Sequence, residues 1–580
     1  MLIILKSPYS VTQFGNSAAI FSTFICAISG VSNFIFSMGY LCPKYIIISV
    51  AKSEKSVVET QKYHDKSVEE LQHFYQDIQN TNGKTAFLAK FRQLSRFSAV
   101  FIEKSIIFNI FYVEISIILG YIYVEKSIIF GQKRRGSMFK RKAYDKLKEW
   151  KQTYSGRYSC LLEGARRVGK STIAEEFAKN EYESYIRIDF ANVTDEMLDV
   201  FRDISKPDLF FLRLQAETGV NLKERKSAII FDEIQLQPKV RQAIKYLVQD
   251  GRYDYIETGS LISIKKNIQG IVIPSEEHKI NVYPMDYEEF MWAIGKDPAV
   301  IREIYKAKTP IGNATNRSLM RDFRLYMAVG GMPQAVDAYI RKENFEVIDG
   351  IKRKINDLYF DDLKKLDPTG RLSNIYKAIP SQLALKKKNF TITKATGKQK
   401  TPKDEERFFE LMDSKTVLAC YHVSNPASAL AQTKDLDKFK LYTADTGLFI
   451  SLMFDNSKQT NEIYKKLLSD KLDADLGYLY ENVAAQIIAS SDRELYYHTW
   501  QKENSSHYYE IDFLLSHGHK VVPVEIKSSA ARNHESIDQF AEKYSKKVYR
   551  RILFSQKDVD HVGTLQLKPL YMLPFAIEEM

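Results

Sequence analysis

From residue 138 onward, short apolar runs alternate with segments of helical spacing. Strand-like runs fall at Tyr158–Glu163, Tyr185–Phe190, Ala228–Phe231, Asp254–Thr258 and Lys279–Val282. Strands that alternate with helices predict an α/β fold, a parallel sheet with helices on both faces. Residues 286–345 read as helical. Residues 370–425 read as a small helix-rich unit ending in a strand pair, and Asn374–Leu385, Asp404–Leu411 and Thr416–Val423 suggest a winged helix. Further on, Leu476, Leu479, Tyr480, Val483, Ala484, Ile487 and Ile488 recur at helical spacing. They predict a helix with one apolar face, and Glu481 sits at its flank. Glu494–Thr499, Tyr508–Leu515 and Val521–Lys527 read as strands, with Ser516–His519 turning the chain between the last two.

Residues 1–137 follow a different pattern. No charge occurs between Lys6 and Lys44, and Ala18–Leu41 is apolar enough to be a membrane-span candidate. Between Ala99 and Phe130, Glu103–Phe108 recurs as Glu125–Phe130. Ordinary globular character begins at Met138. Two readings of residues 1–137 follow: an upstream extension outside the native product, or a membrane-anchoring segment.

Composition narrows the class. The chain has 580 residues, enough for several domains, and is 44% hydrophobic and 27% charged, as in globular proteins. Its net charge is +12, half of it in residues 1–137. That mild excess is compatible with nucleic-acid binding without pointing to it. Four scattered cysteines, Cys26, Cys42, Cys160 and Cys420, form no C-x-x-C spacing. A disulfide framework and a cysteine zinc site are therefore not expected, and a reducing cytoplasm is.

The strongest chemical signal is Gly164-Ala165-Arg166-Arg167-Val168-Gly169-Lys170-Ser171, which reads G-x-x-x-x-G-K-[ST], the phosphate-cradling P-loop. Its glycines let backbone N–H groups approach phosphate oxygens. Lys170 reaches the β- and γ-phosphates of ATP, the Ser171 hydroxyl suits Mg²⁺, and Thr172 lies in the helix whose N-terminus favours an anion. A strand before the loop and a helix after it supply the required context. The run Ala228–Phe231 then ends in Asp232-Glu233. Asp232, at the C-terminal end of a buried strand, is expected to hold the Mg²⁺ shell, and Glu233 to act as general base on water. Thr258 and Ser260, at the end of the next strand, are candidates for contact with the γ-phosphate and the lytic water.

A second candidate site lies near the C-terminus. Pairing Asp512 near Pro523 places Glu525 and Lys527 on the same sheet face as Asp512, because alternate residues share a face. The set Glu481, Asp512, Glu525 and Lys527 resembles the PD-(D/E)xK nuclease core, in which carboxylates bind Mg²⁺ and the lysine helps activate water. Lys386, Lys387, Lys388, Lys394, Lys398 and Lys400 form a basic region that would meet DNA phosphates or remain solvated.

Residues 138–580 resemble a family of prokaryotic AAA-type ATPases whose C-terminal half is a domain of unknown function labelled DUF4143. The P-loop, Phe231–Gln235, Glu257–Ser260, Tyr283–Phe290, Val329–Pro333, Asp445–Gly447, Tyr480–Asn482, Glu510–Phe513 and Val524–Ser528 carry the resemblance. Two departures stand out. Arg167 takes the place of a frequent Gln, and Ser275–Lys279 lacks a frequent Gly-Arg, which leaves Arg321 or Arg324 as candidate nucleotide-sensing arginines. The expected layout is an atypical extension (1–137), an AAA-type ATPase core (138–285), a helical lid (286–345), a winged-helix-like region (346–430) and a nuclease-like α/β domain (431–580). The resemblance implies ATP binding and hydrolysis, with Gly164, Arg166, Arg167, Val168, Gly169, Lys170, Ser171 and Thr172 around the nucleotide, coupled to the C-terminal domain. The alternatives are an ATP-switched DNA-binding module with little turnover and an ATP-dependent nuclease. DNA, a protein partner and further copies of the chain are the expected partners, and a membrane only if residues 1–137 are native.

Overall fold

In a computed structural model the chain divides into two compact units, residues 1–132 and 133–580. The described residues are 22–25, 35–42 and 45–51, backbone only, and 138–260, 274–385, 389–397, 402–426, 429–454, 457–469, 476–528 and 534–580. In the first unit, strands β1 (Ser22–Ile25), β2 (Ile35–Cys42) and β3 (Tyr45–Ala51) form an antiparallel sheet in that order. The described parts of the membrane-span candidate Ala18–Leu41 are thus strands. The rest of that span and the repeats at Ala99–Phe130 lie outside the described residues. Among the described residues, no helix is long and apolar enough to cross a membrane.

The second unit begins with the expected α/β sheet. Its strands are β4 (Ser159–Gly164), β5 (Ser184–Asp189), β6 (Ser227–Asp232), β7 (Asp254–Ser260) and β8 (Glu277–Asn281). Each lies within two residues of its predicted position. All pair in parallel, in the order β5-β6-β7-β4-β8. β4 and β6 are buried along their whole length, which is why they read as unbroken apolar runs. β7 lies between the P-loop strand β4 and the Asp232 strand β6, so its C-terminal end falls between the two chemical elements.

Four helices follow β8: Tyr287–Ala293, Ala299–Ala307, Asn313–Val329 and Pro333–Ile340. The long helix Phe345–Leu366 then leads to four shorter ones ending with Pro402–Asp413. The expected wing is the antiparallel pair β9 (Val417–Val423) and β10 (Lys434–Thr443). It is not free-standing. β9 also pairs in parallel with β11 (Leu495–Gln501), which pairs with β12 (Tyr508–Ile511), giving a four-stranded sheet β10-β9-β11-β12. The last sheet contains β13 (Phe513–His517), β14 (Lys520–Ile526), β15 (Arg551–Ser555), β16 (Asp560–Val562) and β17 (Leu565–Pro569), in the order β13-β14-β15-β17-β16.

One buried junction ties the sheet, the lid and the C-terminal half together. The Met285 N–H donates to the Gly331 carbonyl at 2.7 Å. A Cβ on Gly331 would lie 2.1 Å from the Met285 carbonyl oxygen, so only glycine fits there. The Gly331 N–H donates to Asp445 at 2.5 Å, and the other oxygen of that carboxylate caps the helix Thr446–Met453 through the Leu448 N–H at 2.8 Å. Gln486 accepts from the Thr446 N–H and hydroxyl, both at 2.9 Å, and donates to the Tyr326 hydroxyl at 2.9 Å. Tyr326 donates in turn to the Met285 carbonyl at 3.0 Å. Gly331→Ala should lower the unfolding free energy by about 1–3 kcal/mol through overpacking against rigid backbone. Urea denaturation checks this, and an unchanged midpoint would mean the junction yields.

Candidate nucleotide site and a second carboxylate site

The P-loop follows β4 directly, because Gly164 passes so close to the next element that a Cβ would lie 2.1 Å from the Val282 carbonyl oxygen. Arg167 and Gly169 adopt left-handed backbone, with φ of 71° and 97°. Successive N–H groups around such residues form an anion-binding concavity. The helix Lys170–Glu181 starts at the loop's end and includes Ser171 and Thr172. The Lys170 ammonium folds back on the loop, donating to the Gly164 and Ala165 carbonyls at 3.1 and 2.8 Å. Burial lowers its pKa to about 8, against the pull of Glu233 and Asp232. Arg166 turns to the long helix, where it pairs with Asp362 at 3.2 Å, and its carbonyl accepts from Tyr359 at 2.9 Å.

Three predicted residues meet at the ends of β6 and β7. The Ser171 hydroxyl donates to Asp232 Oδ1 at 2.7 Å, and the Thr258 hydroxyl donates to the same oxygen. Glu233 follows Asp232 in left-handed backbone, φ 55°, and its N–H donates to the Thr258 hydroxyl at 3.4 Å. Gln235 donates to the Glu233 carboxylate. Ser260 ends β7 and is buried.

One participant escaped the sequence reading. Arg187, on β5, donates to Asp232 Oδ2 through Nη2 at 2.6 Å and Nε at 3.2 Å, and pairs with Glu175 at 2.8 Å. Asp232 thus presents one oxygen to hydroxyls and the other to a guanidinium. The available signal was a charge inside one of the predicted strands, Tyr185–Phe190. Of the arginines considered as nucleotide sensors, Arg324 is buried and donates to Gln556 at 2.5 Å, away from the P-loop, while Arg321 is exposed.

At the second site the expected register needs correction. β13 and β14 turn tightly on Gly518-His519, with His517 opposite Lys520 and Phe513 opposite Val524. A two-residue turn with Gly518 at φ 55° selects this register. Pro523 therefore faces Leu514, and Asp512, in the break between β12 and β13, comes level with Glu525 rather than Pro523. The Asp512 carboxylate accepts the Ile526 N–H at 2.8 Å. Lys527 Nζ lies 3.6 Å from Glu525, on the same face. Glu481 comes from the helix Tyr478–Ala489 and accepts from the Tyr442 hydroxyl at 3.3 Å. Beside these residues is an ion pair the sequence did not reveal, the buried Lys440 with Glu510.

Burial governs the charge of this second cluster. It raises Glu525 to about 8, outweighing the attraction of Lys527, and nearby Asp512 adds to the rise. Burial raises Glu481 to about 7, again with help from Asp512. One Glu525 oxygen is buried without a hydrogen-bond partner. Among the described residues, no three His, Cys, Asp or Glu side chains gather closely enough to hold a metal unaided. Of the basic residues considered for DNA contact, Lys394 lies in the short helix Ile392–Thr396. Lys386–Lys388, Lys398 and Lys400 lie outside the described residues.

A parallel sheet with a P-loop after an inner strand and an acidic residue ending a nearby strand defines a P-loop NTPase. The chain carries an AAA-type P-loop ATPase domain and, after it, a DUF4143 domain. A family model described as an AAA domain matches residues 156–291, and the domains of unknown function DUF8612 and DUF4143 match residues 320–460 and 476–570. The middle match was not anticipated from the sequence. No curated protein matches the chain. Among solved structures, the chain is similar to PCH-2 of C. elegans at 16% identity, over 29% of this chain and 45% of that one, with a TM-score of 0.16. It is similar to the STAND protein PH0952 of Pyrococcus horikoshii at 11% identity, over 60% and 48%, with a TM-score of 0.22. The match to Cdc6p of Pyrobaculum aerophilum has 11% identity, over 56% and 92%, with a TM-score of 0.18. The chain spans about half the length of PCH-2 and of the STAND protein.

The raised pKa of Glu525 has a consequence for stability. The folded chain retains a proton that the unfolded chain releases above about pH 4.5. Its contribution is full below that pH and is lost as pH rises through about 8, by at most about 1.4 kcal/mol per pH unit. Glu525→Gln should flatten this slope. Urea unfolding at pH 5 and pH 8 reads it, and identical slopes in the two proteins would count against the raised value.

Proposed function

We propose that residues 138–580 form a Mg²⁺-dependent ATP hydrolase whose nucleotide state is coupled to a nuclease-like C-terminal site. The observation that carries the first half is the meeting of Ser171, Thr258 and Asp232 at the mouth of the P-loop. This all-oxygen set suits Mg²⁺, which takes one or two protein ligands beside substrate phosphates. Ser171 and Asp232 would hold the ion, which supplies charge neutralisation between the β- and γ-phosphates. Gly164, Val168 and Gly169 line the phosphate loop with backbone, and Thr172 continues the helix whose N-terminus faces the anion. Arg166 and Arg167 flank it. Lys170 exchanges its loop carbonyls for phosphate oxygens. Glu233 takes the proton of the attacking water, and Thr258 orients that water.

Support for the second half comes from Glu525. A buried carboxyl oxygen that has no hydrogen-bond partner and faces Lys527 Nζ at 3.6 Å, with Asp512 and Glu481 nearby, has the composition of a metal-assisted phosphodiester site. DNA is the substrate class this reading favours. The lid supplies a route between the sites. Its helix Asn313–Val329 ends at the Asp445 junction and, midway, holds Gln556 through Arg324. Gln556 also donates to the carbonyl of Ser528, next to Lys527, at 2.6 Å. A protein partner and assembly of several copies remain compatible with this reading.

Glu233→Gln should lower single-turnover ATP hydrolysis by about 10²–10⁴-fold while ATP still binds. A wild type that binds ATP and turns over no faster than the variant would instead favour an ATP-operated switch. Purified protein with Mg²⁺ should cleave DNA, and Glu525→Ala should abolish the cleavage. Intact single-stranded, linear and supercoiled DNA after incubation with the wild type would leave the C-terminal domain a binding module.

A further inference from the structure

Arg141 lies ahead of the first helix, Lys142–Thr153, in a segment with no chemical motif of its own. It is almost fully buried, at 4% exposure. Its fork reaches three elements at once. Nη1 donates to the Val168 carbonyl of the P-loop at 2.8 Å, and Nη2 donates to the Tyr283 carbonyl at 2.7 Å. Nε lies 3.1 Å from the Glu289 carboxylate. Glu289 is fixed in turn, because it accepts from the Lys142 and Asp286 N–H groups at 2.6 and 3.1 Å and completes a capping box on the helix Tyr287–Ala293.

The contact with Val168 bears on phosphate binding through the geometry of the peptide unit. The Val168–Gly169 bond is trans. In a planar trans peptide the carbonyl of one residue and the N–H of the next point in opposite directions. A guanidinium holding the Val168 carbonyl on the outside of the loop therefore turns the Gly169 N–H to the inside, where the phosphates bind. Arg141 also packs against the loop at the next residue, where a Cβ on Gly169 would lie at ordinary contact distance, 3.5 Å, from its Nη1. Lysine would not substitute: a point charge spans neither the two carbonyls nor the carboxylate as a rigid planar fork does.

We propose that Arg141 is a positioning residue for the nucleotide site, setting the phosphate-binding face of the P-loop and tying it to the Tyr283–Glu289 segment. The inference rests on the proposed ATP site. Because Arg141 acts on loop backbone, it should affect any ligand with a polyphosphate, with or without a base.

The test measures dissociation constants of ATP and of tripolyphosphate for wild type, Arg141→Ala and Arg141→Lys, below each protein's melting temperature. In Arg141→Ala both constants should rise together, by about tenfold or more, the scale of one lost charge-assisted hydrogen bond. Added guanidinium at low millimolar concentration should restore both. Arg141→Lys, the variant that keeps the charge if alanine does not fold, should weaken both ligands in parallel. Constants within twofold of wild type, with only the melting temperature lowered, would reduce Arg141 to a structural pin and overturn the proposal. Weakened ATP with unchanged tripolyphosphate would overturn it too, by moving the effect to the nucleoside. A wild type that binds neither ligand would bring down the ATP site itself, a different failure from either of these.

Discussion

The Asp445 carboxylate is the constraint on which the second unit depends. It is buried, and burial pushes its pKa up against the backbone N–H groups that hold it. A carboxylate in that position is tolerable only because Gly331 and Leu448 donate to it. The donor from Gly331 requires two backbones to touch: a Cβ on Gly330 would lie 2.5 Å from Asp445 itself, and one on Gly447 would lie 2.6 Å from the Val329 carbonyl oxygen. Short segments far apart in the chain are thereby held at backbone-to-backbone distance, with the Asp445 carboxylate as the bridge between them. Larger residues at these glycines would separate the lid from the C-terminal half before disturbing either.

That lock gives the nucleotide site a mechanical neighbour. The helix Asn313–Val329 has its C-terminal end at the junction, while Arg324 and Asn316, further up, bind the side chain and carbonyl of Gln556 at 2.5 and 3.0 Å. On the other side, Lys142 joins Asp286 and Glu288 at 2.6 and 2.5 Å, next to Arg141 and the P-loop. A rigid element pinned at both ends passes on displacement rather than absorbing it, because close-packed interiors have little slack. The helices between Tyr287 and Ile340 are therefore the part of the structure packed against both the P-loop side and the C-terminal half, which is where the proposed coupling would run.

Much of this was legible in the chain, and what was not has a physical reason. The P-loop and the Asp232–Glu233 strand end are local signals, in which spacing and hydrophobic period place each residue. The five parallel strands followed from the same periodicity. The partners of Arg187 and Arg141 could not be read from the sequence, because they arise from strand order and from a carbonyl brought from another element. The position of Asp512 against Glu525 depended on whether the chain turned over two residues or four, and only backbone geometry at Gly518 decides that. The parallel pairing of β9 with β11 was hidden for the same reason: about seventy residues separate partners whose sequences carry no mark of each other. Val329–Pro333, Asp445–Gly447 and Tyr480–Asn482 were recognisable only by resemblance, and their contacts show that they build the junction, where Asn482 accepts the Thr443 N–H at 2.9 Å.

The two candidate sites differ in how their charges are balanced. Asp232 has a guanidinium on one oxygen and two hydroxyls on the other, so its charge is already compensated and its orientation set. Such a carboxylate is held in one orientation before any ligand arrives, which is the property preorganised sites share. Glu481 and Glu525 stand in the opposite condition. Burial outweighs their cationic neighbours and holds both near neutrality, because two further negative charges beside Asp512 would repel one another in a medium that screens poorly. A divalent cation reverses that balance by attracting the carboxylates it displaces protons from. Asp232 is thus held as an anion by its own neighbours, whereas Glu481 and Glu525 keep their protons up to about pH 7 and 8 although Lys440 and Lys527 stand beside them.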